Sequence, residues 1–157
     1  NRSMNVEHVN LGFGGAGKAE PDVVALVAQI DACCYLLDLG KSYGRQSAAA
    51  YTAMLIALRQ AHPDTPLVCI TPIFSSRELH TQDYGDLSDH TRAVVRVSVA
   101  ERLARGDRLI FLVEGETLLS SRDSDGLAGD GLHPNDLGHS LIAERLRPRI
   151  AEALQKT

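Results

Sequence analysis

What most limits the fold of this chain is a regular alternation: short apolar runs of strand length are separated by amphipathic stretches long enough for helices. Residues 6–11 read as a short strand running into a glycine cluster. Residues 21–30 place Val23, Val24, Leu26, Val27 and Ile30 at helical spacing, and Pro21 suits a first turn. Residues 33–39 form an apolar run broken only by Asp38 and closed by Gly40, a pattern that suits a strand covered on both faces. A helix over 47–61 is stopped at His62-Pro63, a strand over 67–70 is closed by Thr71-Pro72, and 73–86 is polar and irregular. A helix over 88–104 with Gly106 as its C-cap, a strand over 108–113, a Ser/Asp/Gly-rich loop over 114–129 and a final helix over 135–154, with Pro148 placed to kink it, complete the series. The order β-α-β-α-β-α-β-α predicts a mostly parallel sheet between two helical layers, a three-layer α/β/α fold, in one domain spanning residues 1–157. Ligands of such folds bind beyond the carboxyl ends of the strands. Residues 12–17, 40–43, 71–76 and 114–133 are all expected there.

Composition narrows the function classes. A net charge of −4 without a basic cluster argues against nucleic acid as a partner. No apolar run nears the ~20 residues of a membrane span, and no leader segment is visible, so the cytoplasm is the expected location. Three cysteines, Cys33, Cys34 and Cys69, sit in apolar runs without framework spacing; they read as small core residues rather than as disulfides or metal ligands.

The most specific block is Asp130-Gly131-Leu132-His133-Pro134-Asn135-Asp136-Leu137-Gly138-His139. It sets a carboxylate three residues before an imidazole, in a loop that opens a helix. Acyl-transfer chemistry needs such a pair: the histidine moves the proton of a hydroxyl nucleophile, and the acid fixes its tautomer. Asn135 and Asp136 are good helix N-cap types, and His139 reads as a residue that packs or caps. The second block is Asn10-Leu11-Gly12-Phe13-Gly14-Gly15-Ala16-Gly17. Gly12, Gly14 and Gly17 satisfy G-x-G-x-x-G, with Asp31 or Asp38 as the acid that a dinucleotide site would use. Glycines there would equally let a backbone N–H turn toward a ligand oxygen. The third block, Leu37-Asp38-Leu39-Gly40-Lys41-Ser42-Tyr43, ends a strand in a turn.

Taken together, these blocks resemble the motifs of the SGNH (GDSL-like) hydrolases, a lipase/acylhydrolase family, over nearly all of residues 8–150. The resemblance implies a flavodoxin-like α/β/α fold and a serine ester hydrolase with a Ser-His-Asp triad. By it, His133 is the general base, Asp130 its orienting acid, and the amide of Gly15 an oxyanion donor. Related chains carry asparagine as a second donor where this one has Ser42. No metal or cofactor is implied, and the substrate is a small or acylated (lipid or carbohydrate) ester. The G-D-S block that carries the nucleophile is absent from the sequence. Ser3 lies too close to the glycine cluster to belong to it, and nothing around Ser75, Ser76, Ser120 or Ser121 suggests a nucleophile elbow. The resemblance therefore implies that the serine, with a first strand and helix, lies upstream of Asn1. Residues 74–86 and 118–129 are the expected substrate contacts. Two other readings stay open: a non-catalytic domain of the same fold that binds a carbohydrate or a partner, favoured by Ser42 and the missing G-D-S, and a nucleotide-binding flavodoxin-like domain.

Overall fold

Leu67, Val68, Cys69 and Ile70 make the centre of the sheet, and their place there explains why no polar residue interrupts them. In the computed structural model, which describes Met4 and residues 6–156, the strand β2 (Leu67–Ile70) lies between β1 (Tyr35–Leu37) and β3 (Ile110–Val113). Both pairings are parallel: Tyr35 and Ile110 sit opposite Leu67, and Leu37 and Leu112 opposite Cys69. No residue of β2 is more than 4% exposed, as expected where helices cover both faces.

Side-chain alternation along the strands divides the core in two. Tyr35, Leu37, Leu67, Cys69 and Ile110 point to one face, where α1 (Pro21–Val27), α2 (Ala48–Ala61) and α3 (Gln82–Ala104) contribute Val24, Tyr51, Met54, Leu55, Leu58, Val94, Val95 and Val99. Val68, Ile70 and Val113 point to the other, against Leu118 of α4 (Gly115–Leu118) and Ile142, Leu146 and Ala153 of α5 (Asp136–Leu154). Fully buried leucines such as Leu55 and Leu58 each contribute about 1.5–3 kcal/mol.

The amino-terminal end of the sheet is tied by ions. Arg59, near the end of α2, donates to the carbonyls of His62, Pro63, Thr65 and Leu109 and pairs with Asp107 at 3.0 Å; Arg102 reaches the same carboxylate at 3.2 Å. Burial alone would raise the Asp107 pKa, but the two guanidinium groups and the Leu109 N–H hold it below its ordinary value. A depressed folded-state pKa means that its stabilisation is complete above the ordinary carboxylate range and is lost as pH falls through the folded value. Asp107→Asn should therefore cost about 3 kcal/mol at pH 7. Thermal melts should show the gap to the wild-type protein closing below about pH 4.

Several elements differ from expectation. Residues 6–11 form no strand: among the described residues none pairs with them, and Val6, Val9 and Leu11 are 39–58% exposed. The strand expected over 33–39 shrinks to Tyr35–Leu37 and is an edge, with Leu36 43% exposed rather than covered on both faces. Cys33 is exposed instead of core; Cys34 is half-buried, its thiol raised to about 11 by burial and by Cys33, and only Cys69 is fully buried, its thiol pushed up to about 12. The third helix starts six residues early because Thr81 caps it, its hydroxyl accepting from the Tyr84 N–H. The loop expected over 114–129 contains α4 and a 3-10 turn, Ser121–Gly126.

The outer edge of β1 meets no strand among the described residues. An apolar groove of about 880 Å³ runs along it, lined by Val6, Val9, Leu11, Leu36, Ile150 and Leu154 among others.

Candidate active site

Because the strands are parallel, the segments that leave their carboxyl ends gather on one rim. Each touches the next. Asn10 Oδ1 accepts from the Gly12 N–H at 2.9 Å and starts the glycine turn. A Cβ on Gly17 would lie 2.8 Å from the Leu39 carbonyl oxygen, so glycine here lets the two backbones meet. Lys18 Nζ donates to the Ser42 carbonyl at 2.7 Å. The glycine loop is thereby seated on the 3-10 turn Gly40–Tyr43. From that turn Lys41 donates to the Ile73 carbonyl at 2.6 Å and pairs with Glu78 at 2.8 Å. The segment after β2 then reaches the 130–133 loop: Ser75 Oγ, Ser76 N–H and Ser76 Oγ all donate to the Gly131 carbonyl, and Arg77 Nε donates to that of Asp130 at 2.9 Å.

Four residues of the last block, Asp130, Gly131, Asn135 and Gly138, have a structural reason to be there. Asp130 Oδ1 accepts from the Leu132 and His133 N–H groups at 2.9 and 3.0 Å, which closes the turn. Gly131 has φ +68°, and a Cβ there would sit 2.2 Å from Ser76 Oγ. Asn135 caps α5: its Oδ1 accepts from the Gly138 N–H, while its Nδ2 ties back to the Asp125 and Leu127 carbonyls. Gly138 packs on Gly126 with no room for a methyl group.

That scaffold leaves one oxygen of Asp130 free for the ring. Asp130 Oδ2 lies 2.5 Å from His133 Nδ1. The N–H groups of His133 and Leu132, then the ring itself, hold the Asp130 carboxyl well below the usual carboxylate range, so it stays ionised at neutral pH. An ionised carboxylate only accepts, so Nδ1 must carry the hydrogen and a neutral ring presents the Nε2 lone pair outward. Nothing covers that face: the His133 side chain is 73% exposed, against 37% for Asp130.

The other expected residues fall on the same rim with less connection. Gly15 is exposed, with φ +71° and open space where a Cβ would lie. Ser42 is half-buried, and its hydroxyl makes no hydrogen bond among the described residues. The structure brings Asp130 to His133, and the glycine loop to Ser42. No hydrogen bond or ion pair among the described residues joins the two pairs directly; they communicate through Lys41 and the 73–79 segment.

The serines sort themselves. Ser75 and Ser120 cap 3-10 turns and spend their hydroxyls on Gly131 and Asp123, and Ser76 also serves Gly131. Ser3 lies outside the described residues. His139, expected to pack or cap, is exposed. Within the segment expected to touch substrate, Ser75, Ser76 and Arg77 grip the 130–131 backbone, and 82–86 open α3. The spacing of Ser75-Ser76-Arg77-Glu78 is that of a capping box and could have revealed the turn, though not its distant partner. Among the described residues the G-x-G-x-x-G cluster lacks the context of a dinucleotide site: no strand precedes it there, and the helix after it is seven residues long and begins only at Pro21.

Comparison with known proteins decides the family. The model of the GDSL-like lipase/acylhydrolase family matches residues 1–151. The chain belongs to that family. No curated protein matches it. Among solved structures, this GDSL-like chain is similar to a protein of Bacteroides ovatus ATCC 8483 described as a GDSL-like lipase, with 25% identity, a TM-score of 0.75, and coverage of 90% of this chain and 42% of that one. It also resembles the salicylyl-acyltransferase SsfX3 of a tetracycline biosynthetic pathway, with 20% identity, a TM-score of 0.73, and coverage of 87% and 42%. A carbohydrate esterase family 3 protein from Talaromyces cellulolyticus shows 19% identity, a TM-score of 0.62, and coverage of 91% and 69%. The GDSL-like chain thus spans under half the length of the first two. Among its described residues, no helix is long and apolar enough to cross a membrane.

Proposed function

We propose that this chain supplies the acid–base half of a serine ester hydrolase, with the nucleophilic serine contributed by a segment outside its 157 residues. The observation that carries the reading is the Asp130–His133 pair, 2.5 Å apart on an otherwise open rim. His133 Nε2 takes the proton of the serine hydroxyl as its oxygen attacks the ester carbonyl. The tetrahedral oxyanion is held by the Gly15 N–H and the Ser42 hydroxyl. The ring then protonates the departing alkoxide, leaving an acyl-enzyme, and water repeats the sequence in reverse roles. Asp130 keeps Nδ1 protonated and stabilises the imidazolium.

The unpaired edge of β1 and the apolar groove along it support a place for that segment. An added strand there would cover Leu36 and remove an exposed sheet edge, a feature that proteins otherwise guard against. The substrate class is an ester of a small or acylated (lipid or carbohydrate) alcohol. Ser42 favours a second reading, a binding domain that has lost catalysis, because a serine reaches less far than the asparagine that related chains carry there. Losing one oxyanion donor typically costs about a hundred- to a thousand-fold.

Turnover of p-nitrophenyl acetate by the full-length protein separates the two. The hydrolase reading expects saturable release of p-nitrophenol well above the buffer rate. A rate equal to the buffer's leaves the binding domain.

A further inference from the structure

Beneath the rim lies a buried ion cluster that the proposed chemistry does not use. Glu78, with an 11% exposed side chain, takes two cations: Arg92 of α3, 3% exposed, and Lys41, 8% exposed. Arg92 grips the carboxylate with both terminal nitrogens, at 2.9 and 3.1 Å, and donates to the Pro72 and Ile73 carbonyls besides. Glu78 Oε1 also accepts from the Ser75 N–H at 3.0 Å. Burial alone would raise the Glu78 pKa; the two cations overrule it and keep the carboxyl ionised.

Neutralising Arg92 would need only one acid, and Asp89 at 3.2 Å and Glu116 at 3.6 Å are also in reach. What Glu78 adds is reach in two directions. Through Lys41 it holds the turn that carries Ser42. Through Ser75 it holds the segment whose Ser75, Ser76 and Arg77 grip the Asp130-Gly131 backbone. One carboxylate therefore joins the proposed oxyanion side to the proposed acid–base side.

We propose that Glu78, held by Arg92 and Lys41, is a positioning residue that sets the Asp130–His133 pair against the Ser42 turn. The proposal rests on the ester-hydrolase reading for its consequence on rate, but not for its geometry. Misplacement by about 1 Å costs up to roughly a hundred-fold in rate. The Glu78→Gln variant keeps the size of the side chain and loses its charge, and Asp107→Asn, in the ion cluster at the opposite end of the sheet, serves as a stability control.

In the full-length protein, Glu78→Gln should lower kcat on p-nitrophenyl acetate by roughly ten- to a hundred-fold with KM within about two-fold. The long-range proton–nitrogen spectrum of the His133 ring should shift with it. Asp107→Asn should lower the melting temperature and leave kcat and the ring signals alone. Unmoved His133 signals in Glu78→Gln overturn the assignment, whatever the rate. Shifted signals in a protein that shows no turnover even as wild type support the positioning role and instead remove the hydrolase reading.

Discussion

His133→Ala in the full-length protein is expected to lower ester turnover by about 10⁴-fold or more while the melting temperature stays within about 2 °C of the wild type. The asymmetry follows from where the ring sits. It is 73% exposed and belongs to neither core cluster, so removing it leaves no cavity. The turn that carries it survives, because Asp130 Oδ1 still accepts from the backbone N–H groups of residues 132 and 133. The proton acceptor does not survive, and without it a serine hydroxyl is a poor nucleophile. Initial rates on p-nitrophenyl acetate, paired with a calorimetric melt, check both halves. A large loss of stability with activity kept would make His133 a structural residue.

Gly138→Ala should destabilise the protein by about 3 kcal/mol and lower its melting temperature by roughly 6–12 °C. Helix propensity alone predicts the opposite sign, since alanine is better than glycine in a helix by about 1 kcal/mol. Packing wins here because the new methyl would lie 2.1 Å from the Gly126 carbonyl oxygen and 3.0 Å from Pro134 Cβ. The first is backbone and has no freedom to move aside. The strain falls on the start of α5 and on the loop beneath His133, so activity should fall too. Gly85→Ala in α3 is the contrast: its nearest neighbour is the Glu78 carbonyl oxygen at 3.5 Å, an ordinary separation. There propensity should prevail, with a gain of up to about 1 kcal/mol. Paired urea unfolding curves test the opposite signs, and a stabilised Gly138→Ala would contradict the packing argument.

Much of the architecture was legible in the residues. Leu67-Val68-Cys69-Ile70 is uniformly apolar because it is buried on both faces, and the strand was read to the residue. Asn135 announced the start of α5, and the Asp-x-x-His spacing announced a turn in which acid and ring meet. What failed to show was anything that depended on a missing or distant partner. Val6, Val9 and Leu11 have the composition of a strand, but a strand exists only when another pairs with it. Leu36 is exposed for the same reason. The capping-box spacing of Ser75 and Glu78 marks a turn, but not that Ser75, Ser76 and Arg77 serve the Gly131 and Asp130 carbonyls more than fifty positions away. Nothing in the sequence around Glu78 and Arg92 marks them for burial; the fold buries them together.

The proposed arrangement requires a hydroxyl to arrive opposite His133 Nε2, and the hydroxyls of Ser75, Ser76 and Ser120 are already held in structural bonds. The most direct measurement is labelling of the full-length protein with a fluorophosphonate, followed by mass spectrometry of the modified peptide. The account predicts one adduct, on a serine outside residues 1–157, that is lost in His133→Ala. No adduct, or an adduct that persists without the His133 imidazole, would contradict it.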